Sequence, residues 1–287
     1  MSFKIIKGLS DVWEEYDGYI VDLWGVIHDG QVLYPDVLRS LAELRALKKQ
    51  VVFLSNAPRK SEFIKERLSE LKISPDLYRG LVTSGDDAFE TMIETYMPKF
   101  GHSAFFLGGE KDRHMLDAKG LKEVFSLEEA DFILGIHTYK AEDPLETYIP
   151  LLERGLTKSI PFICVNPDLI VHINGQEIIC AGTLADWYKS QGGDVYYHGK
   201  PHGPVYKRAL DMLEGEDKSK ILCIGDSLRT DVTGALGQGL DVAFIPGGIH
   251  KLECLEVKND LSFEKNLEQV FQKNGKVPTF VLPEFKR

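Results

Sequence analysis

Gly18-Tyr19-Ile20-Val21-Asp22-Leu23-Trp24-Gly25-Val26 is the stretch that decides how this chain folds. Tyr19, Ile20 and Val21 form a short apolar run, the pattern of a strand buried on both faces of a parallel sheet. The run ends on Asp22, and Gly25 lets the backbone turn away at once. In doubly wound α/β folds, ligands bind just beyond the carboxyl ends of the strands. Asp22 therefore reads as a nucleophile, a metal ligand or an ordinary strand-ending residue. Aspartate is common in turns, so alone it favours the third.

Working outward, the apolar runs recur with helical segments between them. Val37, Leu38, Leu41, Leu44 and Leu47 have helical spacing, and Pro35 suits a first turn. Val51 to Leu54 reads as a second buried strand ending at Ser55-Asn56, and Lys60 to Leu71 as an amphipathic helix. Leu81 to Thr83 is a third strand, with Ser84-Gly85-Asp86 opening the next helix. This β-α-β-α-β order implies a parallel sheet with right-handed crossovers. From about Ala88 to Ala181 the pattern restarts. Ala104–Leu107, Phe132–Ile136 and Phe162–Val165 are strand candidates, and Val171 to Ile179 is a hairpin turning at Asn174-Gly175. A mixed sheet ending in a hairpin suggests an inserted domain. The first pattern then resumes with a helix over Thr183–Gln191 and a strand over Val195–Tyr197. A helix begun by Pro204 and a strand over Ile221–Ile224 follow, then a helix over Thr230–Leu236 and a last core strand over Val242–Ile245. The expected domains are a core of residues 1–87 and 182–287 with an α/β insertion over 88–181.

A chain of 287 residues suffices for two domains. Hydrophobic content of 43% with 27% charged residues is ordinary for a globular protein. The net charge of -10 argues against nucleic acid or an anionic membrane as partner. It permits an anionic substrate, because a Lys and a metal ion can invert the field in one cleft. Cys164, Cys180, Cys223 and Cys254 form no CxxC pair and read as packing residues. With no basic-then-apolar leader and no membrane-length run, the expected location is cytoplasmic.

Four candidate strand ends carry distinctive polar groups: Asp22, Ser55-Asn56, Lys200 (in His198-Gly199-Lys200-Pro201) and Asp226, with Asp231 five residues on. If all four strands share one parallel sheet, the groups converge on one edge. Together they suit phosphoryl transfer. Asp22 would attack phosphorus, and Asp22 and Asp226 would hold Mg2+. Ser55, Lys200 and backbone N–H groups would take up charge on the transferring oxygens. Each residue singly has a plainer reading: Ser55 as a turn residue, Lys200 as surface charge, Asp226 as loop chemistry.

Asp22 with Gly25-Val26, Ser55-Asn56, Gly199-Lys200-Pro201 and Gly225-Asp226-Ser227 through Asp231 resemble the four motifs of the haloacid dehalogenase-like hydrolase superfamily. The insertion, with Thr83-Ser84-Gly85 and Asn166-Pro167-Asp168, resembles its subclass IIA of sugar, nucleotide and p-nitrophenyl phosphatases. The resemblance spans nearly the whole chain. It implies a Rossmann-like core with an α/β cap, Mg2+, an aspartyl-phosphate on Asp22 and a small phosphorylated substrate. It also implies Asn56 beside Ser55 and Lys200 at the phosphate, Asp231 as a second acidic residue behind the metal, and pairing into homodimers through the cap.

The chain departs from that pattern at Trp24, where the family's phosphatases carry the Asp that protonates the leaving group. An indole is neither acid nor base, although the Trp24 carbonyl can still bind a metal. Three accounts follow: a phosphatase that is slow or selective for good leaving groups, a 2-haloacid dehalogenase-like enzyme, or a phosphoryl-ligand binding protein. In the first, His28, Asp29 or a residue of the insertion would supply the proton. Asn166, Asp168 and His172 are the insertion's candidates for contacting substrate, with His137 and Tyr139 weaker ones.

Overall fold

The computed structural model describes residues 3–173, 176–215, 217–255 and 262–287. In chain order the first elements are β1 (Lys4–Ile5), β2 (Gly18–Val21), α1 (Val37–Ala46), β3 (Gln50–Ser55), α2 (Ser61–Glu70), β4 (Gly80–Thr83), α3 (Ser84–Thr91) and α4 (Met97–Phe100). There follow β5 (Ser103–Leu107), β6 (Lys122–Val124), β7 (Phe132–Gly135), α5 (Ile149–Thr157), β8 (Phe162–Cys164), β9 (Ile170–Ile173), β10 (Gln176–Ile179), α6 (Ala181–Ser190) and β11 (Val195–Tyr197). The remainder is α7 (Gly203–Met212), β12 (Ile221–Gly225), α8 (Thr233–Gly237), β13 (Asp241–Phe244), α9 (Lys251–Leu255), α10 (Phe263–Asn274) and β14 (Phe280–Val281). Contacts divide the chain into two compact units. The first comprises Met1–Ser55, Lys65–Val82 and Lys200–Arg287, and the second Asn56–Ile64 and Thr83–Gly199.

The first unit is built on a seven-stranded sheet of order β1-β14-β13-β12-β2-β3-β4. β2 lies at its centre, parallel to β12 on one side and β3 on the other. That position explains its sequence: with neighbours on both edges and helices on both faces, every residue from Gly18 to Val21 is buried. Val21 pairs with Ile224 and with Phe53, so Asp22, Asp226 and Ser55 leave three adjacent strands at the same edge. Helix α1 buries Val37, Ser40, Leu41 and Leu44, the three-and-four spacing of one face. Leu38 and Leu47, which fit the same apolar pattern, stay exposed. The expected last core strand is not the last, because β14 and β1 extend the sheet beyond β13.

The second unit has its own five-stranded sheet, of order β11-β8-β7-β5-β6. All four of its strand pairs are parallel, so the expected mixed sheet is not found. The antiparallel ribbon exists separately as β9 and β10; its Asn174-Gly175 turn lies outside the described residues. The expected boundary also moves. Helix α6 and strand β11 fall in the second unit, because Val195, Tyr196 and Tyr197 pair with Phe162, Ile163 and Cys164. Strand β6, with one exposed and two half-buried residues, has too little apolar character to be read from sequence. All four cysteines are free and buried. Among the described residues no helix is long and apolar enough to cross a membrane.

Phe244 tests the first unit's packing, being fully buried and edge-on to Phe271 at 5.6 Å. Phe244→Ala should cost about 3–5 kcal/mol in urea unfolding with an unchanged m-value. A loss below about 1 kcal/mol would show that the site collapses without a cavity.

Candidate active site

Three of the predicted loops meet in the first unit around one ammonium. Lys200 Nζ lies 2.6 Å from Asp22 Oδ1 and 2.8 Å from Asp231 Oδ1. The Lys200 side chain is 3% exposed and the two carboxylates 9% and 6%, so this is a buried ion pair shared two ways. Ile20, Leu54, Tyr206 and Cys223 wall it in. The path by which Lys200 arrives differs from the expectation. The strand before it, β11, belongs to the other sheet, so Lys200 enters from the start of α7 and not from a strand end of the core.

Asp226 completes the cluster. Single ligand atoms of Asp22, Asp226 and Asp231 lie within 4.8 Å of one another, and all three residues are buried. Fully ionised, three carboxylates against one ammonium carry a surplus of two negative charges, which burial and mutual repulsion oppose. Burial, joined by the charge of Asp231 and opposed by Lys200, pushes Asp22 up to about 7. Burial and the charges of Asp22 and Asp231 push Asp226 well above the carboxylate range. Burial disfavours the Lys200 ammonium, but the two carboxylates outweigh it and keep the group protonated. A surplus of two negative charges on three oxygen donors fits one hard divalent cation.

The backbone is shaped to let these carboxylates approach. A Cβ at Gly25 or at Gly248 would overlap Asp226, and one at Gly225 would overlap Asp231. Gly25 also has φ +80°, where an L side chain is strained. Asp226 Oδ2 accepts the Ile249 N–H at 2.7 Å, and Asp231 Oδ2 accepts the Ser227 N–H at 3.1 Å. Ser55 is buried at the end of β3, next to the strand of Asp22.

Trp24 is half-buried, edge-on to His28 with centroids 5.7 Å apart and closing over Gly30, where a Cβ would overlap its ring. His28 and Asp29, the expected local proton donors, are poorly suited to that task. Burial, helped by Arg67, pushes His28 down to about 4, and its Nδ1 accepts the Gly30 N–H at 2.9 Å. Asp29 accepts N–H bonds from Val32 and Gln31 at 2.9 Å each, which holds its carboxyl below the usual range. One is kept neutral and the other ionised.

The remaining predicted residues lie in the second unit. Asn56 Nδ2 donates to Asp168 Oδ1 at 2.8 Å, and Asn166 Oδ1 accepts the Asp168 N–H at 3.1 Å. His172 lies on β9 opposite Glu177. Sequence reading missed a buried chain in this unit: His198 contacts Asp87 Oδ2 through Nδ1 at 2.6 Å and the Tyr96 hydroxyl through Nε2 at 2.9 Å. It also missed the role of the loop after β13, although Gly247-Gly248 after a strand beside that of Asp226 was a usable signal.

The sequence matches the profile of haloacid dehalogenase-like hydrolases over residues 19–122, and a second HAD-like hydrolase profile over 197–267. A structure from Brucella suis 1330 described as a hydrolase of the haloacid dehalogenase-like family is 34% identical. It has a TM-score of 0.79, with 85% of this chain and 94% of that one covered. An acid sugar phosphatase of Staphylococcus aureus (strain USA300) is 25% identical over 251 residues, 86% of this chain and 92% of that protein. A structure from Cytophaga hutchinsonii described as a possible sugar phosphatase has a TM-score of 0.77 at 21% identity, covering 100% and 99% of the two chains, and shares the fold. At 34% identity over nearly the whole of the Brucella chain, and with the aspartate–lysine cluster described above, this chain belongs to the haloacid dehalogenase-like hydrolase family.

Proposed function

We propose that the chain is a Mg2+-dependent phosphomonoester hydrolase of small phosphorylated metabolites, acting through an aspartyl-phosphate on Asp22. The observation that carries this reading is the buried cluster of three aspartates around Lys200. Asp22, Asp226 and the Trp24 carbonyl would hold the ion, with Asp231 behind them. Bound there, Mg2+ neutralises carboxylate and phosphate charge. Asp22 attacks phosphorus, the bond to the leaving oxygen breaks, and water then cleaves the phosphoaspartate to release inorganic phosphate. Lys200 orients the Asp22 carboxylate, and with Ser55 and Asn56 it serves the phosphate oxygens, where charge accumulates. The name of the Staphylococcus aureus relative supports sugar phosphate-like substrates. Asp168 holds the side chain of Asn56 and Asn166 holds the Asp168 peptide; Asn166, Asp168 and His172 are this unit's groups for the part of the substrate that is not phosphate. A carbon-attacking dehalogenase would leave Asp226 and Asp231 without cation work, so the charge surplus favours phosphorus.

EDTA should abolish hydrolysis of p-nitrophenyl phosphate and Mg2+ restore it, while Asp22→Asn lowers kcat by roughly 1,000-fold or more. Metal-independent halide release from 2-haloacids would sink the proposal, as would Asp22→Asn retaining full activity.

With Trp24 inert, His28 neutral and Asp29 ionised, the leaving group departs without a proton from this loop. Acyl and aryl phosphates should therefore turn over faster than alkyl ones. Supplying an acid through Trp24→Asp should raise alkyl turnover relative to p-nitrophenyl phosphate by roughly tenfold or more, the scale of general acid catalysis. An unchanged alkyl-to-aryl ratio would mean that another group donates.

The cluster also sets a pH dependence. Aspartates of the unfolded chain ionise near about 4, whereas folded Asp22 keeps its proton up to about 7. Between those values the folded state binds more protons, so stability in EDTA falls as pH rises. His28, pushed down to about 4, acts in the opposite sense. The test therefore compares wild type with Asp226→Asn, which shares His28. Melting temperature should fall less steeply in the variant between pH 5 and about 8, and stabilisation of wild type by Mg2+ should grow over that range. Parallel curves would contradict the assignment.

A further inference from the structure

The helical segment carrying Asp231, Leu228–Val232, starts two residues after Asp226. Backbone donors at a helix start have no partner within the helix. Most are met on the spot: Ser227 Oγ accepts the Thr230 N–H at 3.2 Å, and the Ser227 carbonyl accepts those of Asp231 and Val232. The Leu228 N–H is met from elsewhere, donating to Nε2 of His250 at 3.3 Å.

An imidazole nitrogen that accepts must be unprotonated, which puts the proton of neutral His250 on Nδ1. Nδ1 lies 3.0 Å from Glu253 Oε2, and an ionised carboxylate only accepts, so Glu253 selects that tautomer. Glu253 is itself anchored. Lys273 Nζ lies 2.7 Å from its other oxygen, and buried Asn266 donates to its carbonyl at 2.9 Å. The neighbour of His250, Ile249, gives its N–H to Asp226 Oδ2. One loop thus grips the Asp226-Ser227-Leu228 turn at two points, the Asp226 carboxylate and the Leu228 peptide.

We propose that His250, with its tautomer set by Glu253, is a positioning residue for the divalent-cation site. By fixing the Leu228 peptide it fixes the arc of chain from Asp226 to Asp231, and so the separation of two of the three carboxylates. This rests on the reading of the aspartate cluster as a cation site. Groups that orient a metal's ligands from behind are typically worth about 10–100-fold in metal affinity.

The test is a Mg2+ titration of the whole chain, followed by melting temperature and by calorimetry, without substrate. His250→Ala should raise the half-saturating Mg2+ concentration about tenfold or more. His250→Gln, whose amide oxygen can accept the Leu228 N–H, should recover most of that loss. Glu253→Ala keeps the ring but frees its tautomer and should weaken Mg2+ binding too; it carries the test if His250→Ala does not fold. Lys276→Met, which removes a cation just past α10 and outside this hydrogen-bond chain, should bind as wild type does. Histidine-selective long-range NMR spectra should place the His250 proton on Nδ1. The inference is overturned by a wild-type midpoint in both His250→Ala and Glu253→Ala, by equal weakening in Lys276→Met, or by a proton on Nε2. A wild-type chain that ignores Mg2+ would instead fell the cation reading itself, and this inference with it.

Discussion

One ammonium shared between two buried carboxylates, with a third close by, is the constraint on which the first unit is arranged. Taking ions out of water costs several kcal/mol each, and an ion pair recovers that only with good geometry and additional hydrogen bonds. Here the supplementary donors are peptide N–H groups, from Ile249 to Asp226 and from Ser227 to Asp231. They lower the cost without bringing positive charge, so full ionisation of the cluster would leave it two charges short of neutral. A fold selected for stability alone would replace such a cluster with apolar side chains. Retaining it is intelligible if the missing charge comes from a bound cation and from the ammonium's part in handling phosphate.

How much of this was legible in the sequence depended on how locally each signal is written. Strands β2, β3 and β12 were readable because a strand flanked on both edges is largely apolar, and Asp22, Ser55 and Asp226 stand at or just past their ends. Assigning β11 failed for the same reason. Val195-Tyr196-Tyr197 has the pattern of any buried strand, and nothing local says which of two parallel sheets it joins. Lys200 was identified while its route was misread, since the motif fixes the residue and the pairing of the strand before it is a tertiary fact. His250 was invisible because its work is a ring nitrogen meeting a peptide N–H 22 positions away, and spacing carries no trace of that.

The loop after Asp22 separates two properties that a motif match conflates. On the proposed reading, binding phosphate and activating a carboxylate fall to Asp22, Asp226, Lys200 and Ser55, which this chain carries. Donating a proton needs a titratable group near the leaving oxygen, and this loop withdraws each in turn. Trp24 has none, His28 is held neutral by burial, and Asp29 is held ionised by two peptide N–H groups. These three environments have different physical origins and the same consequence for the proposed reaction: this loop offers the leaving group no proton.

The site is also defined by what has been left out. Gly25, Gly225 and Gly248 come from two loops and the end of β12, and at each a single added carbon would collide with Asp226 or Asp231. In Gly225 and Gly248 the backbone is not in the left-handed region, so conformation does not demand glycine there; proximity does. Backbone pressed this closely on two carboxylates leaves no room for a Cβ at any of the three positions. Peptide N–H groups meet Asp226 Oδ2 and Asp231 Oδ2 there, while the Lys200 ammonium takes Asp231 Oδ1. This is why the loop bearing Gly248 also supplies Ile249 and His250. Once glycine admits the backbone to the carboxylate, the next peptide N–H and the side chain after it lie where the helical turn still lacks an acceptor.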